Sequence, residues 1–256
     1  MRPFRDQIDR FRKAMRPFRY QILSVDAVRY VVCGLRFFWL TKVKGSMRSL
    51  NITTEKVSTN TVHHNLLGTR DFTVSRSHLL IRPLASIEYV RHNKRKLKVL
   101  TIGPRTEGEI YNLIAYGFKK NNIRGLDLIS YSPLIDLGDM HAMPYDDSSV
   151  DIIIAGWVLA YSEDRQAAAN EIIRVTKDGG IIALGASYSP KSDDATIAAC
   201  GYLPGSAARI TSVDSMIDLF APAIDHVYFK QDIEKRLADK VTNMMCIFSI
   251  NKKEIL

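Results

Sequence analysis

Three positions in this sequence carry residue types suited to holding a polar ligand where a β-strand ends. They are Gly103 after V-L-T-I, Asp127 in R-G-L-D-L and Asp139 in G-D-M-H. A glycine lets a backbone approach a bound group closely, and a carboxylate accepts hydrogen bonds from it. Near them in sequence stand Arg105, Glu107, Met140, His141, Trp157 and Tyr161. Of these, His141, Tyr161 and Trp157 are the candidates for direct work on a substrate, either by taking a proton or by walling its site. Metal chemistry is not indicated. Cys33, Cys200 and Cys246 lack C-x-x-C spacing, and His63-His64 has no third ligand at suitable spacing nearby. A dinucleotide fingerprint also fails, because Gly103 is not followed by the remaining glycines of G-x-G-x-x-G.

Bringing these residues together requires an open α/β sheet, whose ligand crevice lies at the carboxyl ends of its strands. The apolar runs predict strands at 99–102, 125–128, a brief one at 134–137, then 150–155 and 181–184. Helical spacing of Ile110, Leu113, Ile114 and Phe118 predicts the first crossover helix over 109–118. A second falls over 164–176, with the K-D-G-G turn at 177–180 closing it. The usual helix between the second and third strands is nearly absent. More alternating runs at 224–229 and 243–250 look like a closing pair, and the long connection 187–212 is where an acceptor loop or lid would sit. Ahead of the sheet, 49–96 reads as linker with a short helix after Pro83.

Charge is localised. Residues 1–48 hold twelve Lys or Arg against three acids, an excess equal to the whole formal charge of +9, so the remaining 24 bases and 24 acids balance. Apolar residues at 4, 8, 11, 15, 18, 22 and 25 make this arm a basic amphipathic helix, with Pro17 expected to kink it and M-R-P-F-R repeated at 1–5 and 15–19. Three readings stand: an anionic membrane surface, packing on the body or a partner subunit, and phosphate attraction by nucleic acid, the last the least favoured. The run 30–40 is too short for a membrane span, no secretory cleavage site follows it, and the cysteine pattern fits a reducing compartment. The expectation is a cytoplasmic protein, peripheral to the inner face of a membrane if the first reading holds. The division is a helical arm at 1–48, linker and lead-in helix at 49–96, and a sheet domain at 97–256.

The segments G-D-M-H-A-M-P-Y-D-D-S-S-V-D-I-I-I-A and E-I-I-R-V-T-K-D-G-G-I-I-A-L-G resemble the class I S-adenosylmethionine-dependent methyltransferases, in particular their type 11 branch. The resemblance covers about 97–186. It implies a Rossmann-like, mainly parallel seven-stranded sheet with helices on both faces and an antiparallel closing hairpin. By position, Gly103 corresponds to the first glycine of the cofactor loop, Asp127 to the acid that holds the ribose hydroxyls, and Asp139 to the acid that meets the adenine amino group, with Met140 flanking the ring. The loop departs from the family: Thr101 replaces its acid, and Arg105 and Glu107 stand where the second and third glycines would be, giving a variant G-P-R-x-E-x-E loop. Arg105 then pairs with the cofactor's carboxylate and Glu107 or Glu109 with its ammonium, or the three simply cap the following helix.

The resemblance implies S-adenosylmethionine as cofactor and methyl transfer to a small molecule, glycan or lipid precursor, a displacement that needs alignment more than acid or base groups. A non-catalytic binding or scaffolding protein on the same fold is the alternative. Neither the acceptor nor the oligomeric state is legible in the residues.

Overall fold

A computed structural model describes residues 22–50, 61, 76–205 and 209–254. The amphipathic pattern at 4–18, Pro17 and the His63-His64 pair lie outside the described residues. Helix α1 (Asp26–Phe38) runs into a π-helical turn, Trp39–Val43. Its buried Arg29 pairs with Asp26, which compensates its charge, and lies 3.0 Å from the His78 ring. After β1 (Arg48–Ser49) come α2 (Ser77–Ser86) and α3 (Glu88–Asn93), then β2 (Val99–Ile102) and α4 (Glu107–Ala115). Thr106 caps α4, its hydroxyl accepting from the Gly108 N–H at 3.2 Å. The chain continues through β3 (Ile123–Asp127), β4 (Ile129–Ser130), β5 (Ile135–Leu137) and β6 (Val150–Gly156) to α5 (Arg165–Val175), capped by Asp164. It closes with β7 (Thr176–Tyr188), α6 (Asp193–Cys200), α7 (Val213–Ile217), β8 (Ile224–Gln231) and β9 (Thr242–Ile250).

Seven strands form one sheet in the order β5-β3-β2-β6-β7-β9-β8. The first five are parallel, and β9 runs antiparallel to both β7 and β8. Strand alternation divides the core between the two faces. Leu100, Ile153, Ile182 and Phe248 pack with Ile172 and Val175 of α5 on one side. Val99, Ile152, Ile181 and Ile247 pack with Leu80, Ile81 and Leu84 of α2 and Leu113 of α4 on the other. The order reverses between β2 and β6, and a doubly wound sheet opens its crevice at that point.

Several boundaries differ from the sequence expectation for local reasons. Helix α2 contains Pro83 instead of following it, and a second short helix, α3, comes after. The K-D-G-G turn does not stop α5: Thr176 is already extended, and Gly179, at φ +70°, lies within the continuous strand β7. In place of a helix between β3 and β5, the two-residue β4 pairs antiparallel with β1, tying the N-terminal segment to the strand end that carries Asp127. Among the described residues no helix is long and apolar enough to cross a membrane.

Candidate functional site

A cavity of about 300 Å³ opens at the carboxyl rim beside the order reversal. Gly103 (end of β2), Arg105, Asp127 (end of β3), Asp139, Met140, Trp157 and Tyr161 all line it, so residues far apart in sequence converge as expected. Gly103 has φ +69°, and a Cβ there would meet Val158 Cγ2 at 3.0 Å, so the turn out of β2 requires glycine. Arg105 is also left-handed, at φ 55°, a costly conformation for a residue with a side chain. It aims its backbone N–H at Asp127 Oδ2, 2.8 Å away. Its guanidinium Nη2 lies 3.4 Å from the Tyr161 hydroxyl. Trp157, at φ 61°, is a second such residue on this rim. It is held by its N–H to Gly185 O at 2.7 Å and by its indole N–H to Asn243 Oδ1 at 2.9 Å.

The acids are the chemically informative part. Asp127 accepts from the N–H groups of Arg105 and Ile129, yet burial outweighs them and lifts its pKa to about 6. Glu109 is lifted further, to about 8, first by burial and also by the charge of Asp127, with Arg76 and Arg105 opposing. The Thr101 hydroxyl donates to Glu109 Oε1. Thr101, near the end of its strand, thus meets Glu109, which brings a carboxylate to the cavity from the first turn of α4.

Two sequence expectations are corrected. Glu107 does not line the cavity. Two residues before Glu109 on a helix, it faces nearly the opposite way and lies fully buried beneath α1. There Arg36 holds it bidentately, at 2.5 and 2.8 Å, Ser132 donates to it, and its own N–H donates to the Tyr131 hydroxyl at 2.9 Å. His141 is not a lining residue either. Its ring lies between Asp139 Oδ1, 2.6 Å from Nδ1, and Ser162 Oγ, 2.7 Å from Nε2. The Asp139 carboxylate can only accept, so the imidazole donates to it from Nδ1, and in the neutral ring Nε2 accepts the Ser162 hydroxyl proton while Ser162 Oγ accepts from the Asp164 N–H. With both nitrogens engaged, His141 is placed to orient Asp139.

Sequence reasoning missed Arg76, Ser77 and Thr61, which line the cavity from the segment read as linker. The Arg76 guanidinium lies 4.6 Å over the Trp157 ring. Nothing in the spacing of 49–96 signals this, because the contact is made only once α2 packs on the sheet. Among the described residues no group of His, Cys, Asp and Glu is arranged to hold a metal ion.

Comparison with known proteins gives a consistent result. Residues 112–184 match the family described as "Methyltransferase domain". Over 106 residues the chain is 30% identical to malonyl-[acyl-carrier protein] O-methyltransferase 1 of Coxiella burnetii, covering 40% of this chain and only 36% of that relative. Among solved structures, N-methyltransferase NodS of Bradyrhizobium japonicum, in complex with S-adenosyl-L-homocysteine, is 18% identical with a TM-score of 0.45, over 70% of this chain and 88% of that one. The PH0226 protein of Pyrococcus horikoshii is 13% identical with a TM-score of 0.47, over 71% and 94%. The segment 112–184 thus resembles the methyltransferase-domain family, and the sheet that carries it has the strand arrangement expected of the class I S-adenosylmethionine-dependent methyltransferases.

Proposed function

We propose that the cavity binds S-adenosylmethionine and that the chain transfers its methyl group to a small-molecule, glycan or lipid-precursor acceptor. The observation that carries this reading is the convergence of Gly103, Glu109, Asp127, Asp139 and Met140 on one cavity. The donor set fits the cofactor. Asp127 accepts from a pair of hydroxyls, and Asp139, oriented by His141, accepts from an exocyclic amine beside Met140. Glu109 meets the ammonium of the methionine portion, and Arg76 or Arg105 meets its carboxylate. When bound, the cofactor supplies an electrophilic methyl group on a sulfonium.

The chain's own contribution is alignment and exclusion of water. Trp157 and Tyr161 wall the opening, and their fixed backbone holds an acceptor in line. Of the three residues that the sequence offered for direct work, Trp157 and Tyr161 line the cavity, and of these the Tyr161 hydroxyl is the one able to exchange a proton; an acceptor already ionised needs no base. The test is incubation of the protein with S-adenosylmethionine labelled in its methyl group, together with fractionated polar, glycan and lipid extracts. The reading requires label to appear in one fraction, and to fall at least about 100-fold with Gly103→Leu, whose side chain fills the cofactor loop. Binding of the cofactor with no transfer to any fraction favours the non-catalytic reading.

A further inference from the structure

Helix α1 shows the same spacing on two opposite faces. Arg29, Cys33, Arg36, Phe37 and Leu40 turn toward the body. There Arg36 grips Glu107, and the Phe37 ring stands edge-on to Tyr131 at 4.9 Å. Val31, Leu35, Phe38, Trp39 and Val43 turn away, each more than half exposed. A helix this short covers about 20 Å, so its outer stripe suits lying along a surface and not crossing one.

The charges beside the stripe indicate which surface. Between Asp26 and Glu55 the sequence holds five cations and no acid. Arg29 and Arg36 are turned inward, whereas Lys42, Lys44 and Arg48 are exposed at the stripe's C-terminal end, shortly after Trp39 in sequence. Bulky aliphatic and aromatic side chains in a row, an indole at the margin and lysines just beyond it are what the boundary of an anionic bilayer accommodates. The rings enter the acyl edge, the indole N–H stays at headgroup level, and the ammonium groups meet phosphates. A protein groove would ordinarily require some directional polar contact along the stripe, and these five side chains offer only the indole N–H.

We infer that the outer face of α1 docks the protein on an anionic lipid surface through Val31, Leu35, Phe38, Trp39 and Val43, with Lys42, Lys44 and Arg48 beside the headgroups. This holds whatever the cavity binds, and its test does not use methyl transfer.

The full chain is floated on vesicles of equal parts phosphatidylcholine and phosphatidylglycerol, and separately on pure phosphatidylcholine. Flotation is expected on the first and not on the second. Leu35→Ser/Phe38→Ser/Trp39→Ser keeps every cation of residues 1–48 and, its changes being exposed, the same melting temperature; it should float about 100-fold less well. Lys42→Glu/Lys44→Glu should weaken flotation by about tenfold or more. Failure of the wild type to float on anionic vesicles overturns the inference. So does equal flotation of the serine variant. Light scattering that shows a dimer which the serine variant makes monomeric, without vesicle binding by either, would assign the face to a second copy of the chain.

Discussion

At the scale of single residues, the two raised carboxyl groups make the most specific statement. Glu109 titrates near 8 and Asp127 near 6, both because burial disfavours their charged forms. The unfolded chain therefore loses these protons at lower pH than the folded chain does. As pH rises from the ordinary carboxylate range, the ligand-free protein loses stability, through the Asp127 contribution up to about 6 and the Glu109 contribution up to about 8, after which the fall stops. Urea titrations across that range will show this as a falling midpoint, flattened above pH 6 in Glu109→Gln. The same linkage reads out binding. A ligand that brings a cation to Glu109 forces it to ionise, so binding near pH 7 should release up to about one proton. Calorimetry in buffers of different ionisation enthalpy measures that number, and Glu109→Gln should reduce it.

At the scale of elements, the link between α1 and α4 is the least expected feature. Breaking it leaves a buried, unpaired carboxylate: Arg36→Ala should cost about 3 kcal/mol, and Glu107→Gln in the same background should recover part of that loss. Chemical denaturation of the single and double variants checks the sign. This element pair also shows where sequence reading stops. Strand β2 is legible because V-L-T-I is a short run rich in β-branched residues that a parallel sheet buries on both faces, and α5 because Asp164 caps a periodic run. Which of Glu107 and Glu109 enters the cavity is not legible. Both acids favour a helix N-terminus equally, and the choice depends on which face of α4 meets α1. The end of α5 misled for a related reason. Gly179 at positive φ is compatible with a helix stop, but the same backbone also fits the irregular start of β7, where the pairing with β6 shifts register.

At the scale of the whole molecule, the cavity is completed from outside the sheet. Arg76 and Ser77 line it, Leu80, Ile81 and Leu84 of α2 cover one face of the core, and β1 pairs with β4 beside Asp127. A chain starting at residue 97 leaves that apolar face open. It should bind a hydrophobic dye and show weak near-ultraviolet dichroism, where the full chain should do neither. Arg76 and Ser77 of the lead-in segment are thus parts of the rim, and Arg48–Ser49 pair beside it. The localised charge of residues 1–48 was visible in the sequence, but its outward and inward faces were not, because only contact with Glu107 and Tyr131 fixes how α1 is turned.

The central claim is that Gly103, Asp127 and Asp139 cradle an adenosyl group, and titration calorimetry with S-adenosylmethionine tests it most directly. The wild type should bind with one site per chain. Asp127→Asn, which keeps the shape of the side chain but removes its charge and half its accepting capacity, should bind at least about tenfold more weakly while circular dichroism shows the fold retained. No heat from the wild type, or equal affinity in the folded Asn variant, would contradict the account.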